Sequence, residues 1–328
     1  MSALPQYGKH LHPTETMHAV VIDRYGAADQ LRPATVPRPV PTRGQVLVRT
    51  RFIGVNPKDV IVRKGKFKVA TGKKFPLLVG HDIAGEVVEA APGADLAVGQ
   101  QVFGMINDFA GRAYAQYAAV DAQSLCAVPT SVDLRTAAAV PLAAQTALQG
   151  LRDEARVKPG QRVLVNGASG GVGVFAVQIA KLLGAEVTAV CSARNAELVR
   201  GLGADHVVDY AETPLTGLTQ RFDAIFDVFG NYRFDTLRPL LTERGTYVQT
   251  IPSGQIVKDV ARTVFSKQRA RLVVVRSQRA QLEWLREHID AGRLTVVVDR
   301  SFALDDVAEA HRYMETKRAR GKVVLEVG

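Results

Sequence analysis

From Met17 to about Ala138 the apolar residues come in short runs, rich in Val and Ile and cut by Gly and Pro. HAVVIDRYG, QVLVRTRFIGV, IAGEVVEA, QQVFGMI and AYAQYAAV are the clearest. Branched side chains suit a pleated surface, and the intervening PRPVPTRGQ and APGADLAVGQ carry turn residues. This stretch predicts an irregular all-β domain. At Thr136 the period changes. AAAVPLAAQTALQGLRDEA predicts a helix, kinked near Pro141 because proline lacks the N–H that the helix needs. Then β and α patterns alternate: strand QRVLVNGA, helix VGVFAVQIAKLLG, strand EVTAVCSA, helix NAELVRGLG, and strands HVVDY and FDAIFDVFG. A helix around FDTLRPLL and the strands GTYVQTI and RLVVVRS follow. Such alternation implies a parallel, doubly wound sheet. The last segment, with helix QLEWLREHIDAGRL, strand TVVVDRSFA, helix DVAEAHRYMETKR and strand GKVVLEV, reads as a return to the first domain. The predicted organisation is a flexible tail over 1–16, a β domain over 17–138, an inserted nucleotide-type domain over 139–282, and a return over 283–328.

Composition narrows the class. The chain has 328 residues, roughly two domains by length. Its two cysteines, Cys126 and Cys191, form no CxxC, which argues against a disulfide framework and a thiolate metal site. Both read as reduced thiols in a cytoplasmic protein. No apolar run reaches the roughly 18 residues that span a bilayer, and the N-terminus lacks the apolar core of a secretory signal. His10 and His12 read as solvated. The net charge of +10 suits an anionic ligand. The densest basic stretch, Arg262 to Arg279, has no accompanying nucleic-acid motif and reads as a solvated surface.

The strongest motif is VLVNGASGGVGVFAVQIAKLLGAEVTAV. A hydrophobic strand runs into Gly167, Ala168, Ser169, Gly170, Gly171, Val172 and Gly173, and a helix follows. Gly170 lets the backbone approach a pyrophosphate, and Gly173 lets helix and strand pack closely. The helix start offers free N–H groups and a positive dipole end to the anion. Ala168 replaces the first Gly of the G-x-G-x-x-G form. Strand, turn, helix and second strand in register predict a dinucleotide site. The second strand ends VTAVCSARN, without the acid that binds a ribose 2′-hydroxyl in NAD enzymes. Ser192, Arg194 and Asn195 fit a 2′-phosphate instead, so NADP(H) is expected.

With these motifs in view, the chain resembles the medium-chain dehydrogenase/reductase superfamily over nearly its whole length. GVNPKDVIVRKGKF, FPLLVGHDIAGEVVEAAPGADLAVGQQVFG, AAVPLAAQTALQGL, NGASGGVG, LGADHVVDY and GKVVLEV stand in the family order. The resemblance implies an α/β chain: a GroES-like β domain with an inserted Rossmann sheet, and an active site in the cleft between them. Zinc members carry a Cys near the NPKD-like position, a His in a GHE motif and a third ligand before the Rossmann strand. Here Asn56 and Leu142 stand at the first and third positions, and His81 survives, followed by Asp82. One imidazole does not make a zinc site, so no metal is expected and His81 reads as a hydrogen-bonded structural residue. NPKD and KGKF are most similar to the zinc-free quinone and enone reductases. Ile61 and Phe67 stand where some bacterial quinone reductases carry tyrosines.

The resemblance implies hydride transfer from NADPH to a quinone or an α,β-unsaturated carbonyl. Charge then builds on the carbonyl oxygen, and donors aimed there stabilise it. Asn56 is a candidate as a polarising amide or a nicotinamide-ribose contact; Lys58 and Lys66 are candidates from the same loop. Asp59 reads equally as a cap of the short helix it opens or as a chemical group. By resemblance Thr146 and Lys322 contact the nicotinamide half, Tyr210 lies near the adenosine phosphate, and Gly230 faces the nicotinamide through its backbone. The alternatives are a crystallin-like binding protein without turnover and a zinc alcohol dehydrogenase. The expected partner is a second copy, pairing along RLVVVRS at a sheet edge.

Overall fold

The structure, a computed structural model, describes residues 11–328. Residues 1–10, with His10, lie outside the described residues. The described residues fold into two units: unit 1 comprises 11–142, 276–291 and 297–328, and unit 2 comprises 143–275 and 292–296. The sequence pattern puts these borders at 138/139 and 282/283. The structure puts the first at 142/143 and the second at 275/276, and gives 292–296 to unit 2.

Unit 1 holds β1 (Leu11–Ile22), β2 (Leu31–Pro39), β3 (Gln45–Val55), β4 (Leu77–Leu78), β5 (Asp82–Ala90), β6 (Gln101–Met105), β7 (Tyr117–Asp121) and β8 (Leu125–Ala127). One antiparallel sheet runs β2-β1-β4. Residues 11–16, expected in a tail, belong to β1, which pairs with the proline-bearing β2 through Thr16↔Pro37. Three prolines mask β2 in the sequence pattern, yet an edge strand tolerates them because one side of it makes no ladder. The helices of this unit are α1 (Pro57–Arg63), α2 (Lys68–Thr71) and α3 (Leu134–Ala138); α4 (Pro141–Leu148) begins in it. The predicted helix around Pro141 is thus two helices broken just before the proline.

Unit 2 holds β9 (Arg162–Asn166), α5 (Gly173–Leu182), β10 (Glu186–Cys191), α6 (Ala196–Gly201), β11 (His206–Asp209), β12 (Phe222–Asp227), α7 (Phe234–Leu237), β13 (Leu241–Gln249), α8 (Gly254–Arg262) and β14 (Arg269–Leu272). All its strand pairs are parallel, in the order β11-β10-β9-β12-β13-β14. In chain order this is third-second-first-fourth-fifth-sixth, the arrangement of a doubly wound Rossmann sheet. Leu164, Val190, Ile225 and Tyr247 are buried in its core. The edge strand is Arg269–Leu272, two residues ahead of the predicted RLVVVRS. The apolar run misleads because Val273 is buried just beyond the strand while Val274 is 72% exposed. Helix α8 has no counterpart in the sequence pattern; its nine residues contain only four apolar ones.

The chain returns to unit 1 through α9 (Arg279–Asp290), β15 (Val298–Ala303), α10 (Val307–Glu315) and β16 (Lys322–Glu326). β16 joins β15 in parallel and β3 antiparallel, completing the sheet β15-β16-β3-β5-β6-β8 with β7 also on β3. Its pleat buries Val48, Ile53, Val87, Val102 and Leu325 in one core. This register carries Lys322 beside Val55, at the start of the Asn56 loop.

Candidate active site

In unit 1, β3 runs into Asn56 and α1. The Asn56 backbone N–H donates to Asp59 Oδ2 at 2.8 Å, so Asp59 caps the helix it opens. The Asn56 side chain is 1% exposed. Its Nδ2 donates to Asp82 Oδ2 at 2.9 Å and to the Gly54 carbonyl at 3.2 Å, and its Oδ1 accepts from Lys322 Nζ at 2.5 Å. Both amide hydrogens are occupied, so the expected polarising role for Asn56 does not fit this geometry. Lys322 is 2% exposed. Its Nζ also meets the Val55 carbonyl at 3.3 Å and Asp82 Oδ2 at 3.4 Å, which takes up its three hydrogens. The implied contact from Lys322 to a nicotinamide is therefore replaced by a role inside the protein, holding Asn56. Asp82 Oδ1 accepts the Leu142 N–H at 2.8 Å. Burial raises the pKa of Asp82, against the pull of Lys322 and the Asn56 hydrogen bond.

A second buried chain abuts the first. His81 Nδ1 bonds Asp59 Oδ1 at 2.5 Å, and its Nε2 meets the Asp108 carbonyl at 3.1 Å. Tyr114 OH donates to Asp59 Oδ2 at 3.1 Å and lies 2.8 Å from His311 Nε2. His81, Asp59, Tyr114 and His311 are all fully buried. Burial pushes Asp59 up, but His81 and the other partners outweigh it and hold the carboxyl below its usual range. Burial pushes His311 down to about 4, and its Nδ1 has no partner among the described residues. Lys58 is half-buried. Burial pushes its pKa down, partly offset by Asp59, Asp82 and Asp108. Lys66, the third candidate from this loop, is exposed and separate from these chains.

In unit 2 the glycine-rich loop joins β9 to α5. A Cβ on Gly173 would lie 2.1 Å from the Gly167 carbonyl, so the close helix–strand approach requires glycine there. At Gly170 a Cβ would meet only that same oxygen, at 3.5 Å. Apart from its chain neighbours nothing else lies within 4 Å of that position, which leaves room for a ligand. No side chain caps α5, so the first N–H groups around Gly171, Val172 and Gly173 are those that a helix start leaves without intrahelical acceptors. Ala168 is buried and its N–H donates to the Val190 carbonyl at 3.0 Å.

Beyond β10, Ser192 is half-buried and Arg194 exposed. Asn195, expected beside a phosphate, is 6% exposed and its Nδ2 donates to Ser169 Oγ at 2.9 Å. It ties this turn to the glycine-rich loop, and its Oδ1 is buried without a partner among the described residues. Asp209 accepts the Ala193 and Ala211 N–H groups, bracing the same turn. Tyr210 is 57% exposed at the end of β11. Thr146 is buried in α4. The Gly230 N–H is taken by Asp227 Oδ1 at 2.8 Å, so only its carbonyl remains to face a ligand. Asp227 also accepts from Asn166 Nδ2 at 2.7 Å and Tyr247 OH at 2.8 Å.

The cradle at Gly170, the open helix start and the orphaned Asn195 Oδ1 together fit a dinucleotide. Asp82, Asp227, Tyr114 and His311 carry no mark in the sequence that makes them site residues. Their side-chain types are visible there, but their burial and pairing are tertiary facts with no local signal.

Comparison with known proteins agrees with both units. Residues 42–130 match the alcohol dehydrogenase GroES-like domain family and residues 202–325 the zinc-binding dehydrogenase family. The chain is 32% identical over 323 residues to the chloroplast envelope quinone oxidoreductase homolog of Arabidopsis thaliana, covering 94% of this chain and 98% of that protein. It is 34% identical over 322 residues to the NADPH-dependent alkenal/one oxidoreductase of the same plant, covering 94% of this chain and 79% of that one. The solved structure of the quinone oxidoreductase from Coxiella burnetii superposes with a TM-score of 0.88 at 27% identity, covering 96% of this chain and 100% of the other. The protein is therefore a member of the medium-chain dehydrogenase/reductase superfamily of oxidoreductases, in its quinone oxidoreductase-like branch.

Proposed function

We propose that the protein is an NADPH-dependent reductase of quinones or α,β-unsaturated carbonyls that works without zinc. The observation that carries this reading is the cluster around Asp82. Asn56, the His81–Asp82 pair and Leu142, which stand at the zinc-ligand positions of zinc members, come together, and the cation among them is supplied by Lys322 Nζ. A carboxylate, an amide and an internal amine satisfy one another there.

The glycine-rich loop and the first turn of α5 would hold the pyrophosphate, with Ser192, Arg194 and Tyr210 toward the adenosine end. Arg194 is exposed, and no acid ends β10, which favours a 2′-phosphate. When bound, the nicotinamide supplies a hydride. The oxygen that gains charge needs a donor. Among the three loop candidates, Lys58 fits best: it is half-buried, and no described residue lies within hydrogen-bond or ion-pair distance of it. A second copy would pair along the β14 edge; α8 and the segments on either side of β14 expose Val257, Val264, Phe265 and Val274.

The test follows nicotinamide absorbance with quinones, enones and aldehydes after exhaustive chelation. Turnover of quinones or enones, with NADPH preferred over NADH and the preference narrowed in Arg194→Ala, is expected. Loss of activity on chelation, or equal use of both nucleotides, refutes the corresponding part.

A further inference from the structure

The loop Asn107–Arg112 of unit 1 is pinned along its length. Asn107 Nδ2 donates to Ser124 Oγ at 2.9 Å and to the Ser277 carbonyl at 3.0 Å, and its Oδ1 accepts the Ser277 N–H at 2.8 Å. The Asp108 carbonyl sits on His81 Nε2, and Asp108 Oδ1 accepts the Ala110 N–H at 2.9 Å. Gly111 has φ +87° and a Cβ there would lie 1.6 Å from the Gly80 carbonyl, so only glycine fits. Arg112 holds φ 94°, a left-handed conformation that strains a side-chain-bearing residue, and its Nη2 pairs with Asp108 Oδ2 at 3.1 Å. A loop fixed this firmly nevertheless shows a phenylalanine to solvent. Phe109 is 58% exposed, and its ring centroid lies 6.5 Å from that of the half-buried Phe67.

Lys58 belongs to the same neighbourhood: it precedes Asp59, whose carboxylate bonds His81 Nδ1, and His81 Nε2 meets the carbonyl of Asp108, the residue before Phe109. It stands in the first turn of α1, where the helix dipole disfavours a cation. Half-buried, without a hydrogen-bond partner among the described residues, and at the wrong end of a helix, it has only the through-space pull of Asp59, Asp82 and Asp108 to offset its burial. An apolar ring on a rigid loop and an uncommitted ammonium suit one kind of guest: a flat hydrocarbon body carrying a carbonyl oxygen.

We propose that Phe109, backed by Phe67, is the acceptor-selecting wall of this enzyme, and that Lys58 anchors the acceptor's oxygen. The assignment rests on the reductase reading above and narrows it to conjugated, ring-sized acceptors rather than small enones. Phe109 contacts the substrate body and takes no part in proton or hydride movement, so its loss weakens binding more than turnover.

The experiment compares Phe109→Ser and Phe109→Leu with the unmutated protein, using 1,4-naphthoquinone and methyl vinyl ketone as acceptors. Phe109→Ser should raise the naphthoquinone KM by roughly tenfold or more, about 1.4 kcal/mol. Its kcat, and its KM for the small enone, should stay within about twofold. Phe109→Leu should restore most of the loss. Calorimetric titration of naphthoquinone into nucleotide-free protein gives an arm independent of turnover. If the unmutated protein consumes no NADPH with any acceptor, the reductase reading fails, yet weaker naphthoquinone binding in Phe109→Ser still supports the wall. Unchanged naphthoquinone KM and unchanged binding in Phe109→Ser overturn it.

Discussion

Replacing Asp82 by Asn keeps the shape of a fully buried side chain and removes its charge. Asn56 Nδ2 and the Leu142 N–H bond different oxygens of Asp82, so the single amide oxygen keeps only one of them and the other donor faces an NH2, while Lys322 Nζ loses the anion 3.4 Å away at 2% exposure. Stranding one member of a buried charge pair costs about 3–5 kcal/mol. Asp82 already carries a burial penalty, so the lower end, about 3 kcal/mol, is expected. For a chain of two units that is a fall in Tm of roughly 6–12 °C in unit 1. Removing the other partner should be milder. In Lys322→Met the raised pKa of Asp82 lets the carboxyl take a proton and become neutral, so about 1–2 kcal/mol is expected. Asp82→Asn combined with Lys322→Met should cost less than the sum of the two, because no buried charge remains. The single tryptophan, Trp284, lies in α9 of unit 1, so its fluorescence during thermal or urea unfolding reads this unit. A loss below about 1 kcal/mol in Asp82→Asn, or strict additivity in the double variant, would refute the charge-pair reasoning.

His311 is held neutral by burial, its pKa falling from the ordinary 6.5 to about 4. The unfolded chain therefore binds the extra proton first; this contribution is present above pH 6.5 and is lost as the pH falls toward 4, about 3 kcal/mol in all. The urea midpoint read by Trp284 should drop over that range, and the drop should flatten in His311→Gln; an unchanged profile in the variant removes His311 from the account. Gly170→Ala should leave Tm intact but weaken NADPH by roughly tenfold or more, about 1.4 kcal/mol, since its Cβ occupies the cradle. Gly173→Ala should lose both, by about 1–3 kcal/mol of stability from forced overlap; equal NADPH affinity in Gly170→Ala would place the pyrophosphate elsewhere. Phe265, 99% exposed in the turn between α8 and β14, should bury itself in a dimer. Light scattering should give the mass of two chains, and Phe265→Glu should shift it toward one; a monomer before mutation rejects the edge pairing.

The local pattern alone determined much of the fold. Short apolar runs bounded by turn residues marked β3, β5 and β6, and strand–turn–helix order marked the loop from Gly167 to Gly173. These features depend on neighbours within a few residues, so they are written where they act. A proline-rich strand such as β2 is stabilised by what packs against it and has no such signature, whereas α8 carries a faint one, the Ser253 cap and Ile256 and Val260 one helical turn apart. The site divided the same way. The glycine positions were legible because only glycine permits the backbone approach they require. The roles of Asn56 and Lys322 were not. Lys322 Nζ and Asp82 are 240 residues apart in sequence, and only the pairing of β16 with β3 brings that amine to Asn56 and Asp82. That meeting makes Asn56 and Lys322 a buried support and leaves Lys58, an ordinary loop lysine in the sequence, as a half-buried donor without a hydrogen-bond partner among the described residues. Burial and charge pairing are properties of the assembled sheet, and no window of the chain contains them.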